Sequence, residues 1–246
     1  MTTNGGVTNN KANAEPKVDP RCEDMEKRNQ ENREQVTEAF EGSRTVAGKE
    51  VHEKASKAGM TFGSMRANIP AANGGPLRQT WSACSSGKAQ ERFSDSLKAG
   101  GESKQGAGTT TVRLCDGASF KHKQGGYGYH AEARLITEVA NATGGNLTGG
   151  TLIFKTDWRY TSLRRKKQKK GACQSGMPCR GCYQAMCKAT KCGLEIMLCN
   201  ANNELVPFEN PSGKPGCSGK KKKDPAKDGL ADLDKRMGEH PLYGIT

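Results

Sequence analysis

Two short stretches hold side chains whose types and spacing suit metal-assisted hydrolysis. Residues 130–132 read His-Ala-Glu, an H-x-E pattern, and residues 178–182 read Pro-Cys-Arg-Gly-Cys, a P-C-x-x-C pattern that begins 46 residues after Glu132. His130, Cys179 and Cys182 are three zinc-ligand types. Glu132 is a carboxylate that need not serve as a ligand. A tetrahedral zinc with three protein ligands keeps its fourth position for water. That water ionises near neutral pH and becomes a nucleophile. Glu132 would take a proton from that water and pass it to a leaving group. A structural zinc site is normally closed by four ligands and has no use for such a carboxylate.

Cys179 and Cys182, at i and i+3, share one face of a helix that opens at Pro178, with proline at a permitted first-turn position. In a first turn the helix dipole favours thiolates. The chain has ten cysteines, six of them between Cys173 and Cys199. Cys187 lies roughly 80° around the helix from Cys179 and points away from the pair. Cys192 is too far along the axis. Cys173 remains open as a fourth ligand. Cys187, Cys192 and Cys199 read as buried small hydrophobes, and the cluster as a metal site with spare thiols in a reducing cytosol. His52, His122 and His240 read as structural or solvated.

The combined H-x-E and P-C-x-x-C signature resembles the cytidine deaminase superfamily, and within it the deaminase toxin domains of bacterial polymorphic toxins, over roughly residues 85 to 210. The resemblance implies one zinc held by His130, Cys179 and Cys182, with Glu132 as proton shuttle. It implies attack of water on C4 of cytosine or C6 of adenine, cytosine being the leading target. Ser175 completes S-x-x-P-C-x-x-C, similar to the form in the AID/APOBEC branch, and is a candidate substrate contact. An immunity protein as partner, and delivery to a cytoplasmic site of action by a specialised secretion system, are implied in the same way.

The stretch 157–192 holds ten Lys or Arg against the single Asp157, a net charge of +9. In it Arg164, Arg165, Lys166 and Lys167 follow Trp158 and Tyr160. Aromatic side chains stack on splayed bases and basic ones track phosphates, so these six residues are candidate nucleic-acid contacts. Over the whole chain the formal charge is +13. Residues 1–60 carry 10 Lys or Arg against 11 Asp or Glu, so the other 186 residues hold +14. Such a balance suits a polyanion, DNA or RNA in single or double strands. The lysine run at Lys220–Lys223 is a weaker signal of the same kind. No apolar run approaches the ~20 residues of a membrane span, and no basic amphipathic helix is evident, so no membrane partner is expected. Three function classes follow: a zinc deaminase acting on DNA or RNA, the same chemistry on free cytidine or a nucleotide, and a non-catalytic zinc-stabilised nucleic-acid-binding module.

The elements that must position these groups come from composition and periodicity. Hydrophobic residues make up 33% of the chain, diluted by 31 glycines, which suggests one compact domain of about 130 to 160 residues. Residues 1–60 read as a disordered or partly helical charged segment without an apolar stripe. Residues 61–84 read as a linker, with Asn73-Gly-Gly-Pro76 as loop. Residues 85–246 form the zinc domain, with a basic insertion over 157–177 and a basic C-terminal tail. Within it the reading is a short amphipathic helix over 89–99, a hairpin over 109–123 turning at Asp116-Gly117, and a helix over 130–141. Further on come a strand over 151–156, a helix over 178–191, strands over 194–199 and 204–208 paired antiparallel, and a short helix over 230–237. The fold class is α/β: a three-layer α/β/α, cytidine-deaminase-like arrangement with a five-stranded mixed sheet.

Overall fold

The computed structural model describes residues 17–38, 43–46, 49–52, 60–70, 74–85, 109–123, 130–158, 176–211, 217 and 225–238. The chain runs α1 (Pro20–Glu38), β1 (Ser43–Val46), β2 (Lys49–His52), β3 (Thr61–Ile69), β4 (Leu77–Cys84), β5 (Thr109–Cys115), β6 (Ala118–Lys123), α2 (Ala131–Ala142), β7 (Thr151–Trp158), α3 (Arg180–Thr190), β8 (Glu195–Cys199), β9 (Leu205–Pro207) and α4 (Pro225–Met237). A five-stranded mixed sheet of order β4-β3-β7-β8-β9 forms the middle layer. β3 is antiparallel to β4 and to β7, β7 and β8 run parallel, and β9 returns antiparallel to β8. The parallel pair requires a crossover, and α3 supplies it. The result is the expected α/β/α layering with five strands, including the antiparallel last pair. No helix among the described residues is long and apolar enough to cross a membrane.

Two of the five strands are not the expected ones. The 109–123 hairpin forms, turning at Gly117 with φ 75°, but it makes its own two-stranded sheet. Its places are taken by β3 and β4, from the stretch read as linker. The turn between them does fall at the glycine pair, where Gly74 and Gly75 both take positive φ. The 1–60 segment differs as well. It carries the small hairpin β1–β2, and α1 packs on the sheet rather than standing free. Cys22, Met25, Asn29, Asn32, Arg33 and Val36 are its buried residues. These positions do form a stripe, but half of it is polar, which is why no apolar period announces it. The helix over 89–99 lies outside the described residues.

Because side chains alternate across a strand, the sheet has two chemically distinct faces. Met65, Ala67, Ile69, Trp81, Leu152, Phe154, Ile196 and Leu198 join the main core with α2, α3 and the β5–β6 hairpin. The intervening residues face α1: Phe62 and Cys84 pack with Val36, while Ile153 and Cys199 pack with Cys22 and Met25. Between those patches lies a buried polar array. Asn29 donates to the Lys155 carbonyl at 3.0 Å and accepts from the Ser64 hydroxyl at 2.8 Å, and Ser64 lies 3.0 Å from Ser82 Oγ. The Arg33 guanidinium donates to Asp157 Oδ2 at 2.9 Å and to the Met60 carbonyl at 3.0 Å, and lies over the Phe62 ring. Lys155 Nζ donates to the Asn200 carbonyl at 2.9 Å and to Asn203 Oδ1 at 2.6 Å, with Glu26 at 3.7 Å.

Three disulfides tie these layers together: Cys22–Cys199, Cys115–Cys192 and Cys187–Cys217. The reading of Cys187, Cys192 and Cys199 as buried thiols is therefore corrected. They are buried, as small apolar groups should be, but each meets a partner from a distant part of the chain. Cys179 and Cys182 of the P-C-x-x-C stretch are not in disulfides.

Candidate metal centre

The site is assembled where two helix N-termini meet. α2 starts above Gly63 of β3, and a Cβ on Gly63 would lie 3.3 Å from Ala131 Cβ and 3.5 Å from Leu135 Cδ1. A residue without a Cβ thus lets the first turn of α2 settle directly on the strand. His130 is the N-cap of that helix, with extended backbone (φ −73°, ψ 143°), and its side chain makes no capping bond. The imidazole is left to face the other helix. There Cys179 caps α3, its sulfur accepting the Cys182 backbone N–H at 3.4 Å. That is the role an oxygen-bearing N-cap side chain usually plays. Gly176 leads into the cap, with φ +82° and its N–H donated to the Thr156 carbonyl of β7 at 2.9 Å. Next to Cys182 on α3, the Tyr183 ring packs 4.8 Å from that of Phe208.

His130, Cys179 and Cys182 converge, their ligand atoms all lying within 4.8 Å of one another, and could hold a metal ion. His130 Nδ1 is 3.0 Å from Cys179 Sγ and 3.5 Å from Cys182 Sγ. Zinc–sulfur bonds of ~2.3 Å and zinc–nitrogen bonds of ~2.0–2.1 Å at a tetrahedral angle would set nitrogen and sulfur roughly 3.5 Å apart. The donor set fits such an ion with little adjustment. Glu132 is 4% exposed, and the Cys182 thiol donates to its Oε2 at 3.5 Å. The carboxylate thus sits against the ligand cluster.

The electrostatics follow from burial and proximity. Burial pushes the Glu132 carboxyl up to about 7, and the Cys179 sulfur beside it pushes the same way. A group so placed can both take and give a proton near neutral pH. The Cys179 thiol is drawn down to about 4, chiefly by a hydrogen bond from Cys182 and then by His130. Cys182, fully buried, keeps its proton, because Cys179 and burial both disfavour a second thiolate. His130 is raised by its hydrogen bond to Cys179. The cluster thus favours a thiolate at Cys179, and a bound cation would favour the unprotonated imidazole and a second thiolate at Cys182.

Of the remaining candidates, Trp158 ends β7, half-buried and opposite Thr61 of β3. Ser175, Tyr160, Arg164, Arg165, Lys166 and Lys167 lie outside the described residues, as do Cys173 and the Lys220–Lys223 run. Sequence reasoning missed two residues that shape this region. Asp157, counted only as a lone acid among bases, is the buried partner of Arg33 on the opposite face of the sheet and holds the end of β7 against α1. Gly63 gave no signal, since nothing in its neighbours marks a close helix contact. No family model, curated protein or solved structure matches this chain.

Proposed function

We propose that this protein is a zinc-dependent deaminase that converts cytosine to uracil in DNA or RNA, acting as a bacterial toxin or effector. The observation that carries this reading is the buried Glu132 carboxylate in contact with a cluster of three candidate ligands among the described residues, His130, Cys179 and Cys182. A zinc ion held by His130, Cys179 and Cys182 would lower the pKa of a bound water toward neutrality. Glu132 would take one water proton and give it to the ring nitrogen as the water oxygen bonds to the ring carbon; it would then take the second proton from that oxygen and give it to the amino group, which leaves as ammonia. The charge balance of the chain beyond residue 60 supports a polyanionic substrate over a free nucleoside.

The disulfides bear on the route to the target. Such bonds form and persist in oxidising compartments. A chain that carries three of them and a thiolate metal site suits a protein that matures outside the reducing cytosol and acts after delivery.

The test is incubation of the zinc-loaded protein with single-stranded DNA, double-stranded DNA, RNA and free cytidine, followed by sequencing and nucleoside analysis. Uracil should appear in one of the polymers. Glu132→Ala should keep its zinc and lose about 10²–10⁴-fold in rate. Undiminished turnover by that variant rejects the mechanism. Changing Arg164, Arg165, Lys166 and Lys167 to Gln should weaken polymer binding and flatten its salt dependence, by up to ~0.7 in log–log slope per contact on single strands. Turnover of cytidine alone would move the reading to a nucleoside enzyme.

A further inference from the structure

Beside the metal centre lies a cleft of about 340 Å³ between the β5–β6 hairpin and the two site helices. It is lined by Ser119, Phe120 and Lys121 of β6, Ala133 of α2, and Gly181, Gln184, Ala185 and Lys188 of α3. Its volume falls at the lower end of the range of small-molecule sites, ~300–1,000 Å³. Phe120, Ala133 and Ala185 are buried and form an apolar floor, while Ser119, Lys121, Gln184 and Lys188 are exposed along the margins. No acid lines it. Neither Lys121 nor Lys188 has an ion-pair partner among the described residues.

The inner end of the cleft is set by chain continuity. Ala133 follows Glu132, and Gly181 precedes Cys182. Adjacent helix positions are ~100° apart, so the cleft occupies the helix faces next to those that carry the ligands. The missing side chain at Gly181 and the methyl groups at Ala133 and Ala185 let a flat ring lie close to both helices. The opposite wall is anchored, because the Cys115–Cys192 disulfide ties the end of β5 to the residues just after α3.

A flat apolar floor with two ammonium groups and neutral hydrogen-bonding groups at its rim has the chemistry to hold a nucleotide. We infer that this cleft is a nucleotide subsite, seating a base neighbouring the target on the Phe120–Ala133–Ala185 floor and its phosphate between Lys121 and Lys188. This deepens the proposed function and rests on it for the identity of the strand. The subsite would set which neighbouring nucleotide the enzyme tolerates, while the metal centre handles the target base.

The experiment is a titration of the full-length, zinc-loaded Glu132→Ala protein with thymidine 5′-monophosphate, followed by backbone and side-chain NMR. Thymine has no exocyclic amine and is not a deamination target. Shifts that saturate at Ser119, Lys121, Gln184 and Lys188 are expected. The Lys121→Gln/Lys188→Gln pair, both exposed positions, should weaken binding about tenfold, or ~1.4 kcal/mol, with zinc content unchanged. Gln184→Trp should block the cleft without altering its charge. Unchanged affinity in the double lysine variant, shifts confined to the surroundings of His130 and Cys179, or equal saturation by inorganic phosphate alone would each overturn the proposal. The two readings separate cleanly. If wild-type protein deaminates nothing but the nucleotide still titrates the cleft in a lysine-dependent way, the deaminase reading fails and the nucleotide site stands. If wild-type protein deaminates DNA or RNA and the lysine variant binds nucleotide normally, the reverse holds.

Discussion

Toward α2 and α3 the sheet presents Met65, Ile69, Leu152, Phe154, Ile196 and Leu198; toward α1 it presents Ser64, Ser82, Lys155 and Asp157 between two small apolar patches. The first face is held by non-directional burial, roughly proportional to the apolar area removed from water. The second is held by directional bonds that must all be made at once, since an unpaired buried polar group is expensive. A disulfide across that second face, Cys22–Cys199, secures what area alone does not. The metal cluster sits on the side with the apolar support. There the strands and helices are fixed by packing, and polar side chains are left over for chemistry.

If the two faces are independent in this way, damage to one should leave the other readable. The largest effect should come from Cys179→Ala. Metal analysis should find zinc falling from one per chain to near zero, with lowered thermal stability because site formation is coupled to folding. Non-reducing peptide mapping should still find Cys22 joined to Cys199. Next comes Asp157→Ala, which strands the Arg33 guanidinium in a buried setting at a cost of about 3–5 kcal/mol, toward the lower end because two backbone carbonyls still accept from it. Denaturant titration measures this, and the folded fraction should retain its zinc. Replacing both Cys22 and Cys199 by Ser should cost about 2–5 kcal/mol, again with zinc retained. The smallest change is Ser64→Ala, about 1 kcal/mol, as one hydrogen bond to Asn29 is lost. Loss of zinc in the Asp157 or Ser64 variant would show that the faces are coupled through the sheet.

The same contrast explains what was legible in the sequence. α2, α3, β7 and β8 were placed within a few residues because their apolar periods point at the main core. His130, Glu132, Cys179 and Cys182 were found because spacing alone specifies them. β3 and β4 were read as linker because Ser64, Asn68, Gln79, Thr80 and Ser82 dilute their strand pattern. The dilution has a cause, since Ser64 and Ser82 belong to the polar array under α1. Helix was allowed for in the α1 segment, but its packing on the sheet was missed for the complementary reason: Asn29, Asn32 and Arg33 occupy core-facing positions, and a period counted on apolar residues passes over them. The hairpin at 109–123 had the right strands and the right turn, but local pattern does not say which sheet a hairpin joins. Disulfide partners 177 and 77 residues apart carry no local signature either.

The Cys22–Cys199 bond spans 177 residues, and so closes most of the polypeptide into a covalent ring, with Cys115–Cys192 nested inside it. A ring cannot be drawn end-first through a passage wide enough for one extended strand. Transit through such a passage therefore has to precede closure of the bond or follow its reduction. A single backbone cut between Cys115 and Cys192 leaves two pieces still joined by both bridges, so a protease that nicks the chain there does not set them apart until a reductant does.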